Sequence, residues 1–570
     1  KTAEYEKLAH ALSAPGACAL FGLPGSGRAM VYAALAKETG RFLCIVTPGE
    51  AEATRFAGDL NALGIPTAVF PARDYVLRPI EGTAREYEYR RLSVLGDIVG
   101  GRLQAVCVPD EGLTQYTTPR AEFCNNTRTL HPGDTVPRTE LTALLYNAGY
   151  ARRAQVDGPG QFSIRGDIVD LYAPDMKLPV RMEFWGDEID TMHTFDLATQ
   201  RREDPIEKIY VSPAREVLFG SPAEAAELLR DFIKKFRGKK RTALEACLAT
   251  ELAQLDGGAL PVNMDKYLAV RYPQPATLLD YFDDPLLVLE EPASLREAER
   301  ATTYRRGEEI SALLQDGVLA AGLDNLYAEN GYLWAQAANH RTICAENFAR
   351  SMPDIPLKDI VNAPAHTLPA WGGEVTSLLE DLQPLCNGGA AVTVLAGTQR
   401  AAAGLAADLR TKGLLVTTDP DAAPGAGLVQ VLPGQLSAGC SVPFAKYALF
   451  TARAFGISST QKKKKRNKDA LNSLSEIAVG DLVVHQNHGI GRYAGIQRMA
   501  VQGVTKDYLR IEYDKKDVLY VPVTQLDLLS RYTAPNDSDN VKLSRLGGSD
   551  WAKTRKKVKA ATEQMAKELI

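Results

Sequence analysis

The sequence predicts a multidomain α/β protein: a β-rich domain inserted into a first α/β unit, a further α/β domain, and a small β-barrel followed by a helix. Three observations carry that expectation. First, the glycine-rich stretch Gly22-Leu23-Pro24-Gly25-Ser26-Gly27-Arg28-Ala29 lies between an apolar run at Ala17–Phe21 and a helical pattern over Arg28–Thr39 that Gly40 ends, and a second apolar run follows at Arg41–Val46. Strand, loop, helix, strand is the order an α/β nucleotide-binding unit requires. Second, between Gly149 and Val217 the pattern changes to short β-type runs separated by glycines, prolines and acidic turns. Third, strand-like runs crowd into residues 476–535, about four or five of them in some 55 residues, enough for a small barrel. At 570 residues the chain exceeds one core, and about three to five domains are expected.

The glycine-rich stretch is the most informative element. A working phosphate-binding loop reads G-x-x-x-x-G-K-[S/T]: backbone amides cradle phosphate, the Lys reaches the outer phosphates and the hydroxyl ligates Mg²⁺. Gly22, Gly25 and Gly27 keep the backbone pattern, but Arg28 stands at the Lys position and Ala29 at the hydroxyl position. Alanine cannot ligate a metal, and a guanidinium is a planar fork rather than a point charge. The loop reads as a degenerate phosphate loop with no catalytic residues; the alternative is an ordinary strand-to-helix turn. The run Pro285-Leu286-Leu287-Val288-Leu289-Glu290-Glu291-Pro292 resembles a strand ending in the acidic pair that completes such a site, with Glu290 where an Asp would hold metal-bound water. A buried strand ending in two solvent-facing acids fits that run equally well.

Along the chain, a helical segment over Glu50–Leu63 and a strand at Leu103–Val108 complete the first part of the first unit, placed at residues 1–120. The β-rich insertion, at 121–215, has strands at Gln161–Arg165, Ile168–Tyr172 and Val180–Trp185. Helical periodicity over Ser221–Glu251 and the acidic-ended strand belong to the second part of the first unit, 216–350. The further α/β domain, 351–457, shows a strand at Ala391–Leu395, an Ala-rich helix over Thr398–Lys412 stopped by Gly413, and a strand at Leu414–Thr417. Lys462–Arg466 is a block of like charge, read first as a solvated linker (458–475) and second as a nucleic-acid backbone contact. In the module at 476–545, Tyr508–Tyr513 alternates so that Leu509, Ile511 and Tyr513 share a face, and Asp514–Asp517 is a turn before Val518–Val521. Residues 546–570 start a helix on which Trp551, Val558 and Met565 recur every seventh position.

Composition narrows the function classes. With 66 basic and 70 acidic residues the net charge is −4, which excludes a globally basic nucleic-acid coat. No apolar run reaches about 18 residues and no signal-peptide pattern opens the chain, so neither a membrane span nor export is expected. The 8 cysteines include no C-x-x-C pair, and His485 and His488 have no third ligand at metal spacing, so neither a disulfide framework nor a metal site is expected and a reducing cytoplasm fits. Lys1 is not an initiator Met and the chain is still helical in pattern at Ile570, which reads as a fragment of a longer protein.

Two long segments carry a family resemblance. Tyr150 followed by GQFSIRGDIVDLYAP, VRMEFWGDEIDTMHTFDLATQRR and PAREV resembles the UvrA-binding domain shared by UvrB and the transcription-repair coupling factors. VGDLVVHQNHGIGRYAGIQRM with KDYLRIEYDKKDVLYVPVTQLDLLSRY resembles the Tudor-like, CarD-related RNA-polymerase-interacting domain of the same coupling factors. Their order, after a degenerate loop, is similar to that family rather than to UvrB, which ought to retain a working loop. Arg73–Pro79 leads almost directly to Arg85, leaving no room for the DNA-gripping hairpin of UvrB-like proteins. The resemblance implies a UvrB-like first unit and a non-catalytic platform for RNA polymerase (its β subunit) and UvrA. ATP, Mg²⁺ and most DNA contact would lie in a translocase motor beyond these residues, no cofactor is implied for the chain itself, and a monomer is expected. It places UvrA contact on Arg165, Arg181, Glu183 and Trp185; the latter three alternate along one strand, and the competing reading packs Trp185 into the core. It places polymerase contact on an open strand edge at Ile496–Val501, through Ile496, Arg498, Met499 and Val501, where the competing reading buries Met499 in the barrel. Set against the platform stand an active UvrB-like ATPase or helicase with an unorthodox loop and a sequence-tolerant DNA-binding module.

Overall fold

The computed structural model describes residues 2–78, 85–197, 199–352, 354–452, 479–485, 488–501, 504–514, 517–522, 529–531 and 543–544. Several α/β units and separate β-sheets make up the chain. The first unit is built on a seven-stranded sheet in the order Leu357–Asn362, Gly16–Phe21, Arg341–Glu346, Leu286–Glu290, Leu43–Thr47, Ala105–Pro109, Thr67–Val69, with every neighbouring pair parallel. Strands covered on both faces read as unbroken apolar runs, and Gly16–Phe21, Leu43–Thr47 and Leu286–Glu290 are buried along their whole length. Tyr32, Leu35, Phe56 and Leu60 fill one face; Phe70, Leu92, Leu95 and Phe123 fill the other.

Two central strands, Leu286–Glu290 and Arg341–Glu346, follow the β-rich insertion in sequence yet lie between Gly16–Phe21 and Leu43–Thr47. That interleaving brings the glycine-rich loop beside the acidic strand end. The edge strand Leu357–Asn362 runs past the position, 350, where the next unit is expected to begin. Helical periodicity over Ser221–Glu251 resolves into two helices, Pro222–Lys234 and Gly238–Asp256, which pack with Tyr75, Tyr267 and Leu323 into a satellite core.

The insertion is a six-stranded sheet in chain-reversed order, from Arg202–Pro205 through Glu188–Phe195, Val180–Trp185, Ile168–Tyr172 and Gln161–Arg165 to Ala151–Arg152. Its inner face packs Phe162, Leu171, Met182 and Phe184 against Leu141 and Leu145 of the helix Arg138–Asn147. The further α/β unit carries six strands, in the order His366–Leu368, Gly439–Val442, Tyr447–Thr451, Ala391–Leu395, Leu428–Leu432, Leu415–Thr417. Thr398 caps the helix Gln399–Thr411 by accepting from the Ala401 amide, a local role without phosphate chemistry.

Residues 482–531 form a five-stranded antiparallel sheet ordered Val518–Pro522, Val504–Glu512, Gly489–Val501, Leu482–His485, Leu529–Arg531. Leu509, Ile511 and Tyr513 are buried together, as their alternation predicts. Among the described residues the two outer strands do not pair with each other, so the sheet is open where a barrel was expected. Gly489–Val501 is the middle strand in this order. Its first residues, Gly489–Arg492, pair with Leu482–His485, and Tyr493 bonds to Gly480 and Asp481; beyond Tyr493 its backbone partners among the described residues lie only in Val504–Glu512. Among the described residues the second half thus runs on as one arm of a two-stranded ribbon, paired on one side. The lysine run at 462–466 and the helix expected over 546–570 lie outside the described residues.

Candidate functional site

The glycine-rich loop joins the strand Gly16–Phe21 to a helix that starts at Gly25, with Pro24 at its N-cap and no side chain capping it. Gly22 has φ +90°, and a Cβ there would lie 3.0 Å from the Pro364 Cα and 3.1 Å from the Ala363 carbonyl oxygen. Only glycine tolerates both the backbone angle and the close approach. The neighbouring chain binds the loop directly: the Ala363 amide donates to the Phe21 carbonyl at 2.9 Å and the Ala365 amide to the Gly22 carbonyl at 3.1 Å. At Gly25 a Cβ would overlap the Arg55 guanidinium.

Arg28 does not face solvent. It is 2% exposed, and its Nη1 lies 3.0 Å from Glu290 Oε2 as an ion pair without hydrogen-bond alignment. Arg28 Nη2 donates to Glu291 Oε1 at 2.9 Å and reaches Asn347 Oδ1 at 3.5 Å. The Tyr32 hydroxyl, one turn further along the helix, donates to Glu290 Oε1 at 2.6 Å. Glu291 sits at φ +50°, an uncommon angle for a side chain other than glycine, held where the helix Pro292–Gln315 begins. Burial pushes the Glu290 carboxyl up, against the pull of Arg28 and the Tyr32 hydroxyl. Burial also opposes the Arg28 charge, but Glu290, Tyr32 and Glu291 outweigh it and its pKa is raised. Of the two readings of the acidic strand end, Glu290 contradicts the solvent-facing one, being 2% exposed. Ala29 is fully buried.

The further α/β unit closes this end of the first. Met30 packs with Leu436, Cys440, Val442 and Leu449, and the Ser437 amide and hydroxyl donate to Asp59 at 2.7 and 2.6 Å. Burial pushes the Asp59 carboxyl up while Ser437 holds it down. Tyr32, Arg55, Asp59 and Asn347 were absent from the sequence reading; a tyrosine one turn after the loop is the only local signal among them.

On the insertion, Arg181, Glu183 and Trp185 do share the outward face, and Trp185 is 84% exposed, so it does not pack in the core. Between the strands bearing Arg165 and Arg181 runs Ile168–Tyr172, in which Asp170 pairs with Arg181 and with Ser163. The Asp170 carboxylate, fully buried, accepts from Arg165 Nη2 at 2.6 Å and from Arg181 Nε and Nη2 at 2.6 and 2.9 Å. Arg181 Nη1 donates to the Gln200 carbonyl at 3.2 Å, and its guanidinium lies 4.7 Å from the Phe195 ring centre. Glu183 is ion-paired with Arg202. Asp170, too, went unnoticed in the sequence.

In the antiparallel sheet, Ile496 pairs in register with Leu509, Arg498 with Asp507, Met499 with Lys506 and Val501 with Val504, while the side chains of these four lie outside the described residues. The His485 and His488 rings lie tilted with their centres 4.7 Å apart, and no group of three or more metal-ligating side chains occurs among the described residues. Among those residues no helix is long and apolar enough to cross a membrane.

Comparison with known proteins fits both sheets. A UvrB interaction domain model matches residues 129–217, which contain Arg165, Asp170, Arg181, Glu183 and Trp185, and a CarD-like/TRCF RID domain model matches residues 477–533. The chain is therefore one that joins a UvrB-type interaction sheet to a CarD-like module. It is similar to the transcription-repair-coupling factor of Bacillus subtilis (strain 168), at 29% identity over 568 residues covering 97% of this chain and 48% of that protein. It is similar also to the factor of Staphylococcus haemolyticus (strain JCSC1435), at 27% identity over 569 residues covering 96% and 48%. The chain is thus similar over nearly its whole length to transcription-repair-coupling factors, and it spans about half the length of the curated relatives it matches.

Proposed function

We propose that this chain is the recruitment platform of a transcription-repair coupling factor: it binds RNA polymerase, through the β subunit, with its CarD-like sheet, and UvrA with its UvrB-type sheet. The first unit hydrolyses no nucleotide and needs no cofactor. The observation that carries this is the Arg28–Glu290 pair. At the position where a working loop presents Lys to phosphate, Arg28 is turned onto the strand-end acid that would otherwise serve the metal, and Ala29 offers no hydroxyl. Gly22, Gly25 and Gly27 preserve the turn, and the chain at 363–365 lies against it. A phosphate or a metal ion entering here would have to break a buried ion pair, a change that costs several kcal/mol, on the order of 3–5.

In the full-length protein, ATP, Mg²⁺ and most DNA contact belong to a translocase motor outside these residues, which displaces stalled polymerase in the cytoplasm; this platform then hands the site to UvrA. The chain acts as a monomer. The experiment is direct: purified chain is tested for Mg²⁺-dependent ATP hydrolysis and, in parallel, for binding to RNA polymerase and to UvrA. Binding to both without turnover is the expected result. Turnover, or failure to bind either partner, rejects the platform.

A further inference from the structure

We infer that Asp170 is a positioning residue for partner binding: it holds Arg165 with a free guanidinium edge toward a carboxylate of UvrA, while Arg181 serves the scaffold rather than the contact. This rests on the proposal that the UvrB-type sheet binds UvrA.

The division of labour follows from where each donor goes. Arg181 has Nε and Nη2 on Asp170, Nη1 on the Gln200 carbonyl and its plane against Phe195, so its fork is taken up within the sheet. Arg165 gives only Nη2 to Asp170. No other hydrogen bond of Arg165 occurs among the described residues, and 47% of its side chain is exposed. Asp170 takes one of the two Nη2 protons, so the other, together with Nε–H or Nη1–H on its side, leaves one complete fork for the planar, two-point recognition of a carboxylate that guanidinium favours.

Asp170 fixes that orientation because it cannot turn away: its carboxylate is fully buried and already bound by Arg181 from the adjacent strand. A long exposed side chain otherwise loses rotamer freedom on binding, and holding it in place beforehand reduces that loss. The rest of the face is charge-neutralised, Glu183 by Arg202 and Asp170 by the two arginines. Trp185, 84% exposed on the same strand face as Arg181, adds exposed apolar area to the face that carries Arg165. Exposed tryptophan and arginine on one face are residue types enriched in interface hot spots.

The test titrates UvrA onto the whole chain and onto Arg165→Ala, Asp170→Asn, their double variant and Arg165→Lys, with a thermal melt on each. Arg165→Ala should bind about tenfold more weakly or worse with an unchanged melt. Asp170→Asn should also weaken binding, and the double variant should be no weaker than the weaker single variant to within about twofold, because one residue acts through the other. A purely structural Asp170 would instead give losses that add. Arg165→Lys keeps the charge and loses the fork, so it should bind more weakly than the parent. Additive losses, or a folded Asp170→Asn variant with parental affinity, overturn the inference. Should Asp170→Asn fail to fold, Arg165→Lys decides: weaker binding supports the inference and parental affinity overturns it. A parent chain that does not bind UvrA at all rejects the functional proposal, and the inference with it; a parent that binds while these variants behave like it rejects the inference alone.

Discussion

Arg28 Nη1 and Glu290 Oε2 lie 3.0 Å apart and the two residues are each 2% exposed, a buried ion pair that ties the helix after the glycine-rich loop to the acidic strand end. Taking two charges out of water is costly, and their attraction repays it only where the surrounding hydrogen bonds are good. Tyr32 on Glu290 and Glu291 on Arg28 supply those bonds. The pair therefore holds the loop, the acidic strand end and the following helix together in one arrangement, whatever its net contribution to stability.

Removing one partner should hurt more than removing both. Arg28→Met leaves the Glu290 carboxylate buried with only Tyr32, and a loss of roughly 3–5 kcal/mol is expected. Arg28→Met with Glu290→Leu removes both charges and should recover a large part of that loss. Denaturant titration of the parent and the variants measures both quantities. A double variant as unstable as Arg28→Met would show that the site depends on packing around the pair rather than on charge balance.

Arg28→Lys bears on catalysis. It restores the cation of a working loop, but Ala29 still offers no metal ligand and Glu290 remains an internal partner for any cation at position 28. No Mg²⁺-dependent ATP turnover is expected from this variant, measured as phosphate release. Turnover above the parent's would mean that the arginine alone had silenced the site.

A second buried network makes stability depend on pH. Glu88 accepts from the Glu216 amide at 3.1 Å, beside Arg73, Arg91 and Asp265. Burial pushes its carboxyl up to about 7, opposed by Arg73. A carboxyl whose folded pKa lies above its unfolded value binds more protons when folded, so stability falls as pH rises between the two. For Glu88 that window runs from about 4.5 to about 7. Glu88→Gln keeps an acceptor for the Glu216 amide and removes the titration. It should melt above the parent at pH 8, by roughly 1–3 kcal/mol, and match it near pH 4.5. A difference that stays constant across the window would exclude Glu88 as its source.

Legibility followed range. Gln161–Arg165, Ile168–Tyr172, Val180–Trp185 and Ala391–Leu395 match their expected bounds because alternation and bounding turns are local signals. The glycine pattern marked the loop for the same reason. Leu357–Asn362 was missed because it is half exposed and its place is set by parallel pairing with Gly16–Phe21, far away in sequence. Arg28 and Glu290 were each singled out, yet nothing in one segment says that it faces the other; strand interleaving decides that. Asp170 stayed invisible because an aspartate inside a strand pattern reads as a solvent-facing residue until the arginines on both flanking strands close over it.

That closure changes what Arg181→Ala should do. An arginine on an outward strand face is ordinarily replaceable with little change in stability. With Asp170 fully buried and taking two bonds from Arg181, truncation leaves the carboxylate with Arg165 alone. A stability loss of about 2–3 kcal/mol is expected, below the figure for a fully sealed pair because Arg165 remains. Melts of the chain with Arg181→Ala and with Arg181→Lys check it, the lysine variant falling between. An Arg181→Ala variant as stable as the parent would show that water or Arg165 replaces the lost bonds without cost.

The last prediction concerns the polymerase. Beyond Tyr493 the strand Gly489–Val501 is paired on one side only among the described residues, by Val504–Glu512, and Met499 lies opposite Lys506 in that ribbon. An open strand side offers unpaired amides and carbonyls to a partner strand, with alternate side chains supplying specificity. A thioether at the contact adapts to a protein surface, whereas a guanidinium would not be desolvated there without an acid opposite. Met499→Arg should therefore weaken polymerase binding by about tenfold or more and leave both the β-type circular dichroism and UvrA binding intact. Loss of the β signal would place Met499 in the fold rather than at the contact, and parental polymerase affinity would remove the ribbon from the interface altogether.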